Sequence, residues 1–243
     1  MRIDRMAFGK VLLAAVVASC LGGIAVMEED EHKFTADFRL VDCTFETVGE
    51  NAYFILRPGF QLVLEGEEDG EVVRVEITVL DETKNIVLQE MGEVETRVVE
   101  EREYVDGEIL ENSRNFFAIC SETSDVYYFG EEVDIYEDGE VVSHEGAWRA
   151  GEDGAKGGLI MPGTFLLGSR YFQEYAPGVA MDRAENVEMG PSVTTKGGTF
   201  SDCVKVEETT PLDPGELGYK VYCPGIGVIQ DGEIELVEYG DVA

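Results

Sequence analysis

A period of two constrains this chain more than any other feature of its sequence. Residues 71–79 read EVVRVEITV, which puts Val73, Val75, Ile77 and Val79 on one side and Arg74, Glu76 and Thr78 on the other. Phe60, Leu62 and Leu64 alternate with Gln61 and Glu65 just before it. A helix would spread such residues around its axis. A strand gathers them on one face, so the pattern marks half-buried antiparallel strands. Five Asp-Gly pairs punctuate the chain, at Asp69-Gly70, Asp106-Gly107, Asp138-Gly139, Asp153-Gly154 and Asp231-Gly232. Both residue types tolerate the positive φ that a tight hairpin turn demands. A two-residue loop at Asp138-Gly139 predicts Ile135 opposite Val142, and one at Asp231-Gly232 predicts Ile229 opposite Ile234. Few segments have helical spacing, and residues 146–168 are Gly-rich and read as a long irregular loop. The expectation is one all-β domain over residues 28–243, a curved antiparallel sheet or open barrel of about ten to twelve hairpin-built strands with little helix.

Residues 1–27 are of a different kind. Arg2, Arg5 and Lys10 precede the apolar run VLLAAVVA at 11–18, the pattern of an export signal. The run closes Val17-Ala18-Ser19-Cys20, which resembles a bacterial lipobox and predicts lipidation of Cys20 and anchoring to the membrane through that lipid. Two other readings stay open. Gly23 and Ala25 suit ordinary cleavage near Ala25. Residues 11–27 carry no charge and could stay as an uncleaved anchor, short of the roughly 20 residues a span needs. All three place the protein outside the cytoplasm, in the cell envelope or secreted.

Charge narrows the partners. With 51 acidic against 18 basic residues, the formal charge is −33. Nucleic acid is excluded as a partner, because phosphate binding needs a basic footprint. Adsorption to an anionic bilayer through surface charge is excluded on the same ground.

If Cys20 is lipidated, four cysteines remain, an even number that favours disulfides in an exported chain. A hairpin centred on Asp213 would set Cys203 directly opposite Cys223, close enough to bridge. Cys43–Cys120 then follows by elimination.

Conventional catalytic and metal-binding motifs are missing. His32 and His144 are the only histidines and belong to no zinc or HExxH spacing. No GxSxG, GxGxxG or P-loop occurs. The acidic stretch Glu131, Glu132, Asp134, Glu137, Asp138 and Glu140 does not match a calcium loop, since Val133 and Ile135 alternate with the acids. No catalytic residue, metal ligand or cofactor is therefore assigned. Trp148, the single tryptophan, adjoins the Gly-rich segment and reads either as a plug for one end of the fold or as the wall of a ligand pocket. Lys156, Gly157 and Gly158 join it as candidate ligand-binding residues, with the two glycines as hinges of a lid.

Residues 58–79, 146–162, 175–185 and 199–228 resemble a group of uncharacterised exported bacterial proteins. This resemblance covers most of the chain beyond the signal and implies location and architecture, with no activity to carry over. The C-terminal part, Gly198-Thr199-Phe200 through Pro224-Gly225-Ile226-Gly227-Val228, is also similar to LolA-like envelope proteins, over a short strand-and-turn pattern. That similarity implies a concave apolar face able to hold a small apolar ligand. Cys203 and Cys223 depart from the exported group. The functional expectation is a non-catalytic envelope lipoprotein that binds or scaffolds. A carboxylate-dependent hydrolase of surface polymers and a calcium-dependent surface or matrix protein are the alternatives.

Overall fold

The structure is a computed structural model and describes residues 34–242. The expected export signal, Cys20 and His32 lie outside the described residues. After a 3-10 turn at Leu40–Asp42 come β1 (Phe45–Glu46), β2 (Gly49–Asn51) and β3 (Phe54–Leu56). Long strands follow: β4 (Phe60–Glu68), β5 (Glu71–Leu88), β6 (Gly92–Val105), β7 (Glu108–Cys120) and β8 (Val126–Glu137). Then come short strands, β9 (Glu140–Ser143), β10 (Trp148–Arg149), β11 (Gly158–Met161), β12 (Arg170–Phe172), β13 (Arg183–Met189), β14 (Val193–Thr195) and β15 (Gly198–Phe200). The chain ends with β16 (Val204–Thr210), β17 (Asp213–Cys223), β18 (Gly227–Asp231) and β19 (Ile234–Asp241).

Fifteen strands form one antiparallel sheet, with the main path β10-β8-β7-β6-β5-β4-β19-β18-β17-β16-β13-β12, while β1, β9 and β11 pair at its side. The fold is the curved all-β sheet that the alternation predicts. It holds more strands than expected, in part because β10 and β11 are pairings of two and four residues inside the segment 146–168 that reads as loop.

Three Asp-Gly pairs make the tight hairpins expected of them. Asp69-Gly70 (φ 51° and 87°), Asp106-Gly107 (50° and 85°) and Asp138-Gly139 (52° and 79°) link β4 to β5, β6 to β7 and β8 to β9. Two expected registers need correction. A bulge between Ile135 and Tyr136 sets Ile135 against Ser143 instead of Val142. The last hairpin turns at Gly232-Glu233, so Ile234 faces Asp231 and not Ile229. Gly232 (φ 55°) takes the first turn position, as a type II′ turn requires, and Asp231 stays in β18 directly across from Lys220.

The two disulfides are those expected, Cys43–Cys120 with Cα atoms 5.2 Å apart and Cys203–Cys223 with Cα atoms 4.2 Å apart. Val204 pairs with Tyr222 and Lys205 with Val221, the register that makes Cys203 and Cys223 opposite. The turn itself sits at Pro211-Leu212, and a bulge between Glu208 and Thr210 restores the offset.

Curvature brings the two ends of the sheet together without closing a barrel. Lys156 makes a single antiparallel bridge to Tyr175. Next to it Gly158 lies so close to the opposite backbone that a Cβ there would stand 2.0 Å from the Gln173 carbonyl oxygen. Inside the curve, Leu64, Val75, Val79, Val99, Phe117 and Tyr128 belong to one continuous buried core.

Candidate functional site

The inner face of the sheet leaves a gap in that core. Phe60 and Leu62 of β4, Phe117 of β7, Tyr222 of β17 and Val228 of β18, with Phe54 of β3 beside them, enclose a cavity of about 100 Å³. Ile226, half-buried in the turn before β18, also borders it. Each residue follows from its strand: the inward row of β4 is Phe60, Leu62 and Leu64, and across β5 and β6 it continues as Val79 opposite Val99. A cavity of this size exceeds the space of a few waters, and its walls are mainly apolar.

One end of the cavity is polar. Glu101, Asn115, Lys220 and Asp231 all border it. Lys220 is buried, and its ammonium lies 3.2 Å from Glu208 and 3.5 Å from Asp231. Burial alone would lower the Lys220 pKa, but Asp231 and Glu208 outweigh it and hold it well above the ordinary lysine value. Asn115 donates to the Val99 carbonyl and to Ser113 Oγ, and accepts from the Tyr128 hydroxyl. Gln173 donates to the other oxygen of Glu208 at 2.9 Å.

Glu101 is different. It keeps part of its surface accessible, yet no described residue hydrogen-bonds to its carboxyl. Burial pushes its pKa up to about 7, with Lys220 opposing the rise and Asp231 and Glu208 adding to it. Two residues on, Glu103 faces Val75 from the same inner row, and burial with the nearby Glu111 and Glu101 pushes it up to about 8.

The rings of Tyr128 and Trp148 meet edge to face, with centroids 5.3 Å apart. Tyr128 borders the apolar cavity, while Trp148 borders a second cavity of about 270 Å³ together with Arg149, Glu132 and Ala176. Trp148 is therefore both a buried wedge in the core and a wall of this second cavity. Beneath it lie Glu131 and Glu174, both buried, whose carboxyl oxygens are sealed from solvent and have no hydrogen-bond partner. The Trp148 indole N–H lacks one too, although it lies near enough to Glu174 to oppose the rise of its pKa. Burial raises both carboxyls well above the usual range; Glu174 adds to the rise at Glu131, and Asp182 to that at Glu174. An uncompensated buried carboxylate is far costlier than the neutral acid, so burial here favours the protonated form of both groups. Sealed oxygens cannot reach a polymer chain, so this pair is not the open carboxylate cleft that a hydrolase needs.

The remaining sequence candidates fall elsewhere. Lys156 pairs with Asp37 at 2.9 Å and lies over the Tyr175 ring, on the outside. Gly157 and Gly158 line neither cavity; they are buried at the seam between the ends of the sheet, and Gly158 is already in β11. His144 contacts Asp134 at 2.8 Å on the surface. Of the acidic stretch, Glu131 points inward, Glu132 binds Lys84 and Arg149, and Asp134 meets His144. These acids diverge and share no common point. Among the described residues, the one group of three metal-ligating side chains is Cys43, Cys120 and Glu122, whose thiols are already joined as a disulfide.

Sequence reasoning did not single out Glu101, Lys220 or Asp231. Parity alone could not have found them, since Val98 and Val99 are both buried; the pairing of Val99 with Val79 is what puts Glu101 and Glu103 on the inward row. Comparison with known proteins finds no matching family model, no matching curated protein and no matching solved structure.

Proposed function

We propose that this protein is an exported binding module whose curved sheet holds a small, mainly apolar ligand in the cavity between Phe54, Phe117 and Tyr222. The observation that carries the reading is the cavity itself, an apolar space of about 100 Å³ with one polar end on the concave face. Pockets of this make-up, apolar walls with a few convergent polar groups, are the usual form of small-molecule sites. Two disulfides fit an oxidising compartment. With the export signal, they support a place in the cell envelope, tethered by lipid at Cys20 or secreted.

A titration with a neutral apolar probe, n-hexanol, tests this reading. The wild-type chain should bind it saturably, one molecule per chain. Ile226→Trp should abolish binding while leaving the fold unchanged, because the larger ring fills the cavity from a half-buried turn. Equal binding by both proteins, or none by the wild type, would remove the cavity from the account.

A further inference from the structure

Resting on that reading of the cavity, the charges at its polar end define what kind of head group the ligand carries. Among the described residues Lys220 is the one cation bordering the cavity, and Glu208 and Asp231 already hold it at 3.2 and 3.5 Å. Glu101 faces the same space from β6, between Ile77 on β5 and Ser113 on β7, neither of which can neutralise it. Glu101, Glu208 and Asp231 thus lie around one lysine that is already compensated. A ligand carboxylate placed here would meet acids on every side and find the lysine occupied. A hydroxyl would satisfy one hydrogen bond of Glu101 and none of its charge. An ammonium would satisfy both, adding the attraction of opposite charges in a poorly solvated site to the hydrogen bond.

We infer that the ligand is an apolar amine, with its hydrocarbon body between Phe54, Phe117 and Tyr222 and its protonated nitrogen donating to Glu101. The cavity's volume limits the body to about the size of a short alkyl chain or a single ring. An amine in this position supplies a hydrogen bond to a carboxyl that receives none from the described residues.

Three ligands of one length separate the possibilities: n-hexylamine, n-hexanol and n-hexanoate, titrated by calorimetry into the full chain near neutral pH and at physiological ionic strength. Hexylamine should bind about tenfold more tightly than hexanol, the gain of one charge-assisted contact, with hexanoate weakest. Glu101→Gln should remove the amine's advantage over the alcohol, both measured on that variant, and a wild-type circular dichroism spectrum with a cooperative melt would show that the variant is folded. Ile226→Trp should remove amine binding and so separates the cavity from general attraction to an acidic surface. If hexanol or hexanoate binds as well as the amine, or if the amine is indifferent to Glu101→Gln or to Ile226→Trp, the head-group assignment is wrong while the cavity stands. If none of the three binds, the binding reading and this inference fall together.

Discussion

Glu101 stands directly across from Ile77 on the inner face of the sheet, a carboxyl in a row that the neighbouring strand fills with Val75, Ile77 and Val79. The position is costly to the fold and useful to the cavity. Burial holds the Glu101 pKa at about 7, so above that pH the folded state carries a poorly solvated charge. Glu101→Leu should therefore raise the melting temperature by a few degrees near pH 8 and change it little near pH 5, as thermal unfolding at the two pH values would show. An equal shift at both would mean that packing and not charge sets the cost.

The pH dependence of the wild type follows from the same groups. Asp182 and Asp231 are raised from 3.8 to about 6, Glu101 from 4.5 to about 7 and Glu103 from 4.5 to about 8. In that range the folded state binds more protons than the unfolded chain, so stability is complete below the unfolded values and is lost as pH rises through the folded ones. Glu122, held down to about 2 chiefly by its hydrogen bonds to Thr44, works the other way and loses its contribution as pH falls toward 2. Stability should peak between about pH 4 and 5 and fall toward pH 8. Glu103→Gln should flatten the upper part of the decline. Denaturant melts across pH read this directly, and a maximum at neutral pH would contradict it.

The disulfides close loops of different length. Cys43–Cys120 spans 77 residues and Cys203–Cys223 spans 20. Loop-closure entropy gives about 4.5 kcal/mol for the first and about 3 kcal/mol for the second. Replacing each pair by alanine should lower unfolding free energy in that order, measured by urea titration.

Gly158→Ala should destabilise the fold by about 3 kcal/mol, because the added carbon meets a backbone oxygen that cannot move without opening the seam. A fully stable Gly158→Ala with altered ligand uptake would instead favour the lid expected of this segment. Circular dichroism melts separate these results.

Much of the fold was legible because alternation and Asp-Gly turns act locally. β4 and β5, or β6 and β7, announce themselves in their own residues. The Cys203–Cys223 register was readable for the same reason, even though the turn lies at Pro211-Leu212 and reaches that register through a bulge. Bulges have no compositional mark, and so the pairing of Ile135 was off by one residue. The short strands β10 and β11 were hidden because they form only by pairing with β8 from within an irregular, Gly-rich segment. The cavity was hidden by abundance: among 51 acidic residues, the few that point inward, Glu101 and Glu103 beside Val99 in particular, cannot be told apart without the pairing of β5 and β6.

A crystal structure of the protein soaked with n-hexylamine tests the central claim most directly. The account expects density for one molecule between Phe54, Phe117 and Tyr222, its nitrogen within hydrogen-bond distance of Glu101. An empty or collapsed cavity, with amine only on the outer surface, would contradict it.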